Sequence, residues 1–405
     1  MDNSSPSPFT RNYTSEADLA AIACFPQEGP TDKTGIHPPC RPVQAKSPAV
    51  LLDASLQGKN LVRNFVPPQN QETPRGGQNL IALYFPKRFF KAAQGAMVID
   101  GLKGRDFVSM ADLSPGELGG LLTIATQLKC GQLTADCPRK VLGLLFRKAS
   151  TRTRVSFSVA MVQLGGQVLD LNVQLTQVSR GEPIRDTARV LDRYLDALAI
   201  RTYDQGELAE FAHHANMPII NALTDLEHPC QVLADLLTVQ EAFGSLEGLT
   251  LTYLGDGNNM AHSLMLGCAL AGMHIRIATP PDYVPNEDIV LQARALAGDR
   301  SEVILTDDPK AAVAGAQILY TDVWASMGQE SDAESRIPRF QPYQVNNALL
   351  AGCDRDAIVL HCLPAHRGEE ITDDVMEGPQ SRVWDQAENR MHAQKALLAC
   401  LLGAI

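Results

Sequence analysis

The sequence predicts an α/β protein made of two parallel-sheet domains, joined by a hinge and closed by a returning C-terminal helix, behind a largely irregular N-terminal extension. Three observations predict it. Short apolar strands alternate with helical patterns from Phe107 onward, the alternation is interrupted once at Gly244-Ser-Leu-Glu-Gly248, and polar clusters recur where strands end. The boundaries that follow are 1–100 for a low-complexity, disordered extension, 101–244 together with 384–405 for the first domain, and 245–383 for the second. The chain of 405 residues is 45% apolar, enough for two sizeable cores.

Residues 1–100 are rich in Pro, Ser, Gln and Asn, and Pro26, Pro30, Pro38, Pro39, Pro42, Pro67, Pro68 and Pro74 break any apolar period. The first residues lack the apolar core of a secretory signal. Asp2, Glu16 and Asp18 are unlike the acid-poor composition of a transit peptide, so no targeting role is assigned. The patch 79–85 has the composition of a strand, and Met97 is an alternative biological start.

The regular part opens with Ser114-Pro-Gly-Glu117, a capping box with Pro at the first helical position, ahead of Leu118, Leu121, Leu122, Ile124, Ala125 and Leu128. An apolar strand, Val141-Leu-Gly-Leu-Leu-Phe146, then hands over to Arg147-Lys-Ala-Ser-Thr-Arg-Thr-Arg154 and to a helix carrying Val155, Phe157, Val159, Met161, Val162 and Leu164 at helical spacing. Strands are expected at 167–171, 197–202 and 218–223, and helices at 185–195, 207–216 and 229–243. After the hinge, strands are expected at 249–255, 274–278, 302–305, 317–321 and 357–360, with helices beginning near Asn259, Glu287 and Asp308 and a long last helix at 384–402.

A net charge of −11 without long basic runs argues against nucleic-acid or anionic-membrane partners, and no apolar run reaches the roughly 18 residues of a spanning helix. The nine cysteines are scattered, with no C-x-x-C pair, which points to a reducing, cytoplasmic location. His228 with Cys230, and His361 with Cys362, are too close in sequence to clamp one ion comfortably, so no metal is expected.

The chemistry is expected at strand ends, where α/β sheets collect ligands. Ser150 is a good N-cap, and the free amides of Thr151, Arg152 and Thr153, with the helix dipole, suit a phosphate. Arg201 ends one strand, and His228-Pro-Cys-Gln231 follows the next and opens a helix. Asp256-Gly-Asn-Asn259, Asp322-Val-Trp-Ala-Ser-Met-Gly328 and His361-Cys-Leu-Pro364 end strands of the second domain. Taken singly, each has a plain structural explanation: a helix start, a surface ion-pair partner or a small core residue. Together, at five strand ends, they point to a site. No Gly-x-x-x-x-Gly-Lys-[Ser/Thr] P-loop is present, and Gly255-Asp-Gly-Asn-Asn-Met260 has Met260 in place of the third glycine of a dinucleotide fingerprint, which disfavours a nicotinamide enzyme.

Ser150-Thr-Arg-Thr153, His228-Pro-Cys-Gln231, Asp322-Val-Trp-Ala-Ser-Met-Gly328 and His361-Cys-Leu-Pro364, in this order, resemble the motifs of the ornithine carbamoyltransferases, over a region running from about Asp106 to the C-terminus. The resemblance implies transfer of the carbamoyl group of carbamoyl phosphate to the δ-amine of L-ornithine, as in arginine biosynthesis and the urea cycle. It implies no cofactor and a homotrimer with shared active sites. Carbamoyl phosphate would be held by Ser150, Thr151, Arg152, Thr153, Gln177 reaching into a neighbour, Arg201, His228, Gln231, Cys362, Leu363 and Arg390. Ornithine would be held by Asn259, Asp322, Ser326 and Met327, the last two on a mobile loop. Arg152, Arg201, His228 and Cys362 would be the catalytic set, with Cys362 orienting substrate rather than attacking it. The competing readings are carbamoyl transfer to aspartate or N-acetylornithine, and a carbamoyltransferase-like binding protein without turnover. Asp322 disfavours aspartate by charge, and retention of Arg152, His228 and Cys362 disfavours loss of turnover.

Overall fold

The computed structural model describes residues 100–172, 181–325 and 333–405. The expectations for residues 1–99 lie outside the described residues, as do Gln177, Ser326 and Met327.

Among the described residues, nine strands form two wholly parallel sheets. The first contains β1 (Val141–Phe146), β2 (Gln167–Asn172), β3 (Ala197–Arg201) and β4 (Ile219–Leu223) in the order β2-β1-β3-β4. The second contains β5 (Thr250–Leu254), β6 (His274–Ala278), β7 (Val303–Thr306), β8 (Ile318–Thr321) and β9 (Ile358–His361) in the order β7-β6-β5-β8-β9. Helices α1 (Pro115–Lys129), α2 (Thr151–Gln163), α3 (Ile184–Leu191), α4 (Gln205–His214) and α5 (Pro229–Phe243) accompany the first sheet. With the second come α6 (Asn259–Ala271), α7 (Glu287–Ala297), α8 (Pro309–Val313), α9 (Ala333–Phe340), α10 (Asn347–Leu350) and α11 (Asp373–Met376), and α12 (Val383–Leu401) closes the chain.

These elements follow from local chemistry. The expected capping box of α1 forms: Ser114 Oγ accepts from Glu117 N at 3.2 Å, and Glu117 Oε2 accepts from Ser114 N at 2.8 Å. Pro229 opens α5, and Gly244 ends it at φ 76°, a left-handed cap that glycine adopts without a Cβ penalty. The hinge residues follow that cap directly. The last helix returns as expected, packing on α1, α2 and α5, and one apolar core runs through Leu122, Phe157, Leu236, Leu264 and Leu397.

Three local expectations are corrected. The helix expected to reach 195 stops at Leu191, because the Asp192 carboxylate turns to accept from Asn216 N at 2.7 Å and Met217 N at 2.8 Å, which ties the chain to the entry of β4. On α2, Phe157, Met161 and Leu164 are buried as expected, but Val155 and Val162 are 53% and 63% exposed and Val159 is also exposed, so this helix is apolar on two faces. Helix α9, which contains Pro338, and the short α10 and α11 were not expected.

Strand order fixes where ligands can bind. The first sheet reverses direction between β1 and β3, and the second between β5 and β8, which are the topological switch points of open parallel sheets. The segments after β1, β3, β5 and β8 carry polar motifs, and those after the edge strands β4 and β9 carry His228-Pro-Cys-Gln231 and His361-Cys-Leu-Pro364.

Candidate active site

The segment after β1 leads into α2 through Ser150, whose Oγ accepts from Thr153 N at 3.2 Å and donates to Thr153 Oγ1 at 3.0 Å. That cap turns the first amides of α2 outward from the strand end. The register sets Phe146 opposite Arg201, and Arg147 N donates to Arg201 O at 2.8 Å, so the end of β3 lies beside the start of α2. From the C-terminal helix, Arg390 Nη2 donates to Thr153 Oγ1 at 2.6 Å. Sequence positions 153 and 390 thus meet across the fold.

His228 is the N-cap of α5 and is buried. Its backbone is pinned by Ser263 Oγ, which accepts from His228 N at 2.8 Å and donates to the buried Glu227 at 3.1 Å. Burial holds the imidazole well below its ordinary pKa, and the charges of Arg390, Arg201 and Arg152 push it the same way. Its Nδ1 has no hydrogen-bond partner among the described residues. Arg201 is pushed down to about 10, first by burial and then by Arg390 and Arg152. Like charges are held together here at a cost that a bound anion would relieve.

In the second lobe, sheet register builds the site. Leu254 pairs with Thr321, and Thr321 with His361, so the residues that follow each strand become neighbours. Cys362 Sγ donates to Asp322 Oδ1 at 2.9 Å, and Asn258 Nδ2 donates to Asp322 Oδ2 at 3.1 Å. Burial first, and then Asp322, push the Cys362 thiol well above its ordinary value, so it stays protonated. Leu363 sits at φ 60°, ahead of a cis bond to Pro364, and donates its N–H to His361 Nδ1 at 2.9 Å. The other ring nitrogen of His361 meets buried Glu370 at 3.1 Å. The two lobes meet here, with Arg201 and Arg390 within electrostatic range of the Cys362 position.

Ligand atoms of Asp322, His361 and Cys362 lie within 4.8 Å of one another. Both ring nitrogens of His361 are already engaged, however, and a protonated thiol is a poor metal ligand. The glycines of Gly255-Asp-Gly257 have a structural use. Gly255 adopts φ 147°, which favours glycine, and a Cβ on Gly257 would stand 2.3 Å from Pro285 N, so Gly257 admits the 283–285 backbone rather than a pyrophosphate.

The structure thus gathers Arg152, Thr153, Arg201, His228 and Arg390 in one region and Asp322 with Cys362 beside it. Asn259, expected near substrate, has its Nδ2 donating to Thr224 O at 2.6 Å, while its neighbour Asn258 reaches Asp322. Sequence reasoning had Asn258 in the strand-end cluster but gave the substrate role to Asn259, and it missed Glu370 and the buried Asp235. The signal for Asp235 was its spacing of four from Gln231 on α5.

A capped helix with Arg152 and Arg201 at the switch point of the first sheet, joined by neutral His228 after β4 and by Arg390 from the last helix, defines a two-lobed α/β protein suited to a small multiply charged anion in one lobe, next to an acid suited to a cation in the other. Comparison with known proteins makes this specific. The family model for the aspartate/ornithine carbamoyltransferase carbamoyl-P binding domain matches residues 105–241, and that for the Asp/Orn binding domain matches residues 247–401. The chain belongs to the aspartate/ornithine carbamoyltransferase family. It is 69% identical over 303 residues to an ornithine carbamoyltransferase of a Nostoc species, covering 75% of this chain and 99% of the relative. It is 68% identical over 309 residues to that of a Synechocystis species, covering 76% of this chain and 100% of the relative. The crystal structure of ornithine carbamoyltransferase from Gloeobacter violaceus is similar with a TM-score of 0.68 at 58% identity, over 74% of this chain and 98% of that one. The enzyme from Pyrococcus furiosus gives 0.72 at 48%, over 75% and 99%.

Proposed function

We propose that this chain transfers the carbamoyl group of carbamoyl phosphate to the δ-amine of L-ornithine, giving L-citrulline and phosphate. The observation that carries the reading is the juxtaposition of an anion site, built on Arg152, Thr153, Arg201 and Arg390, with the Asp322–Cys362 pair at 2.9 Å. Identities of 68–69% to named ornithine carbamoyltransferases over three quarters of the chain support the same substrates.

In this reading residues 101–244 with 384–405 form the carbamoyl phosphate lobe and residues 245–383 the ornithine lobe. Ser150, Thr151, Arg152 and Thr153 take the phosphate at the start of α2, with Arg390 closing from α12 and Gln177 entering from a neighbouring subunit. Arg201 and neutral His228 address the carbamoyl oxygen, Gln231 its amide, and Leu363 lies alongside. Asp322 attracts the ornithine side chain, with Asn259, Ser326 and Met327 around the rest of the substrate. The amine must reach the carbonyl carbon unprotonated, against an ordinary alkylammonium pKa of about 10.4. Its nitrogen forms the new C–N bond while Arg201, His228 and Thr153 stabilise the oxyanion, and the C–O bond to phosphate breaks as the amine passes a proton to the departing phosphate. Cys362 orients the amine as a thiol and forms no covalent bond. No metal or organic cofactor is invoked.

The assembly proposed is a homotrimer with shared sites. The exposed stripe of Val155, Val159 and Val162 on α2 supports self-association, because an apolar helix face of this kind is better covered than hydrated. Among the described residues no helix is long and apolar enough to cross a membrane. The seven described cysteines are all free, which supports a reducing, cytoplasmic setting.

The test is citrulline formation from carbamoyl phosphate and ornithine, run beside aspartate and N-acetylornithine as acceptors. Product with ornithine alone is expected. A folded protein that carbamoylates only aspartate or N-acetylornithine, or binds carbamoyl phosphate without turnover, would replace the proposal.

A further inference from the structure

Gln231 stands three residues after the N-cap His228, on the first turn of α5, and is buried to 1% exposure. Its amide is held by one neighbour: Nε2 donates to Asp235 Oδ1 at 2.8 Å, one helical turn on. The carbonyl oxygen of the same amide is buried and has no partner among the described residues. An amide can turn over by exchanging its N and O ends, and at most sites either end would serve. Beside the ionised Asp235 carboxylate it cannot turn, because the exchange would set a carbonyl oxygen against a carboxylate oxygen at hydrogen-bond distance. Asp235 is itself fully buried and is filled by donors. Oδ1 also accepts from Gln386 Nε2 at 2.7 Å, and Oδ2 accepts from Tyr320 OH at 3.1 Å. Gln386 has its own polarity fixed by accepting from His361 N at 2.9 Å. The network therefore runs from His361 on β9 through α12 to Asp235 and ends on Gln231.

We infer that Asp235 is a positioning residue that fixes the polarity of the Gln231 amide, presenting its carbonyl oxygen as an obligatory acceptor and thereby selecting an acyl phosphate that bears an N–H donor over one that bears a methyl group. A buried acceptor left without a donor is costly, whereas a carbamoyl NH2 satisfies it and an acetyl CH3 of the same shape does not. Burial raises the Asp235 carboxyl to about 7, and the donations from Gln231, Gln386 and Tyr320 favour its ionised, acceptor-only form. The inference rests on the proposed role of Gln231 beside the carbamoyl amide.

The test measures dissociation constants for carbamoyl phosphate and acetyl phosphate, each by equilibrium titration on the full chain, and reads their ratio. Asp235→Leu removes the acceptor that holds Gln231 Nε2 and frees that amide to turn, so the preference for carbamoyl phosphate should fall about 10-fold or more, the value of one hydrogen bond of about 1.4 kcal/mol. Asp235→Asn should keep the preference, because Gln231 Nε2 and Gln386 Nε2 both donate to Oδ1, which holds the asparagine oxygen on that side and turns its NH2 to Tyr320 OH. Equal weakening of both ligands in Asp235→Leu, or loss of the preference in Asp235→Asn, would overturn the inference. Should Asp235→Leu not fold, Asp235→Ala is read in its place, and should that also not fold, Asp235 is a structural residue and the inference fails. A wild-type protein that prefers neither ligand would count instead against the proposed carbamoyl site.

Discussion

Replacing Arg201 by methionine should make the unliganded protein more stable and, at the same time, cost it its anion. The folded chain holds the Arg201 guanidinium at a pKa of about 10, through burial and then through Arg390 and Arg152. Relative to the ordinary guanidinium value the fall corresponds to about 3 kcal/mol of penalty on the charged form. The sign is set by pH: the group is charged in both the folded and unfolded chain at pH 7, so the folded state carries the whole penalty, which is relieved only as pH rises through about 10 and beyond. Methionine preserves much of the volume and removes the charge, and the hydrogen bonding that disappears with the guanidinium offsets about 1 kcal/mol. The net expectation is a gain of about 1–2 kcal/mol, read as a rise of about 2–5 °C in the Tm of the unliganded protein. Carbamoyl phosphate should raise the Tm of wild type by mass action and raise that of the variant much less, since removing one partner of a buried charged pair costs about 2–5 kcal/mol of affinity. Differential scanning fluorimetry with and without ligand reads both quantities. An unliganded variant less stable than wild type would refute the charge-strain argument, and an undiminished ligand shift would refute the placement of Arg201 in the site.

Two further predictions bear on the groups beside it. Because burial and Asp322 keep Cys362 a thiol, iodoacetamide at pH 8 should leave it unmodified by mass spectrometry, and Cys362→Ser should raise the KM for ornithine about 10-fold or more while moving that for carbamoyl phosphate little; a carbamoylated Cys362 trapped during turnover would contradict this. His228 stays neutral in the fold while the unfolded chain protonates it below pH 6.5, so stability falls with pH below that value by up to about 1.4 kcal/mol per pH unit from this residue, and His228→Asn should flatten the Tm profile between pH 6.5 and 5 relative to wild type, an unchanged profile refuting it.

Much of the fold was legible locally, for stated reasons. The Ser114 and Ser150 caps, Pro229 at a helix start and Gly244 at a helix end act over three or four residues, and each behaves in the structure as its chemistry requires. The errors came where distant chain segments intervened. Asp192 ends α3 early because residues 216 and 217 arrive to claim its carboxylate, and the valines of α2 match the apolar period of a core helix yet face outward. The glycines at 255 and 257 read as a broken nucleotide motif, but Gly255 serves a positive φ and Gly257 admits the backbone at 283–285.

Sequence alone determined the alternation of strand and helix, the break after Gly244 and the residue types at each strand end, because periodicity, capping and turn chemistry are properties of neighbours along the chain. Tertiary structure decided which strand ends meet. Parallel register sets Thr321 between Leu254 and His361, which presses Asp322 against Cys362, and the return of the last helix delivers Arg390 to Thr153 and Gln386 to Asp235. Those pairings join residues far apart in the sequence, and their energies come from burial and from the balance of charge in one enclosed volume, which has no counterpart until the two sheets and the closing helix are packed together.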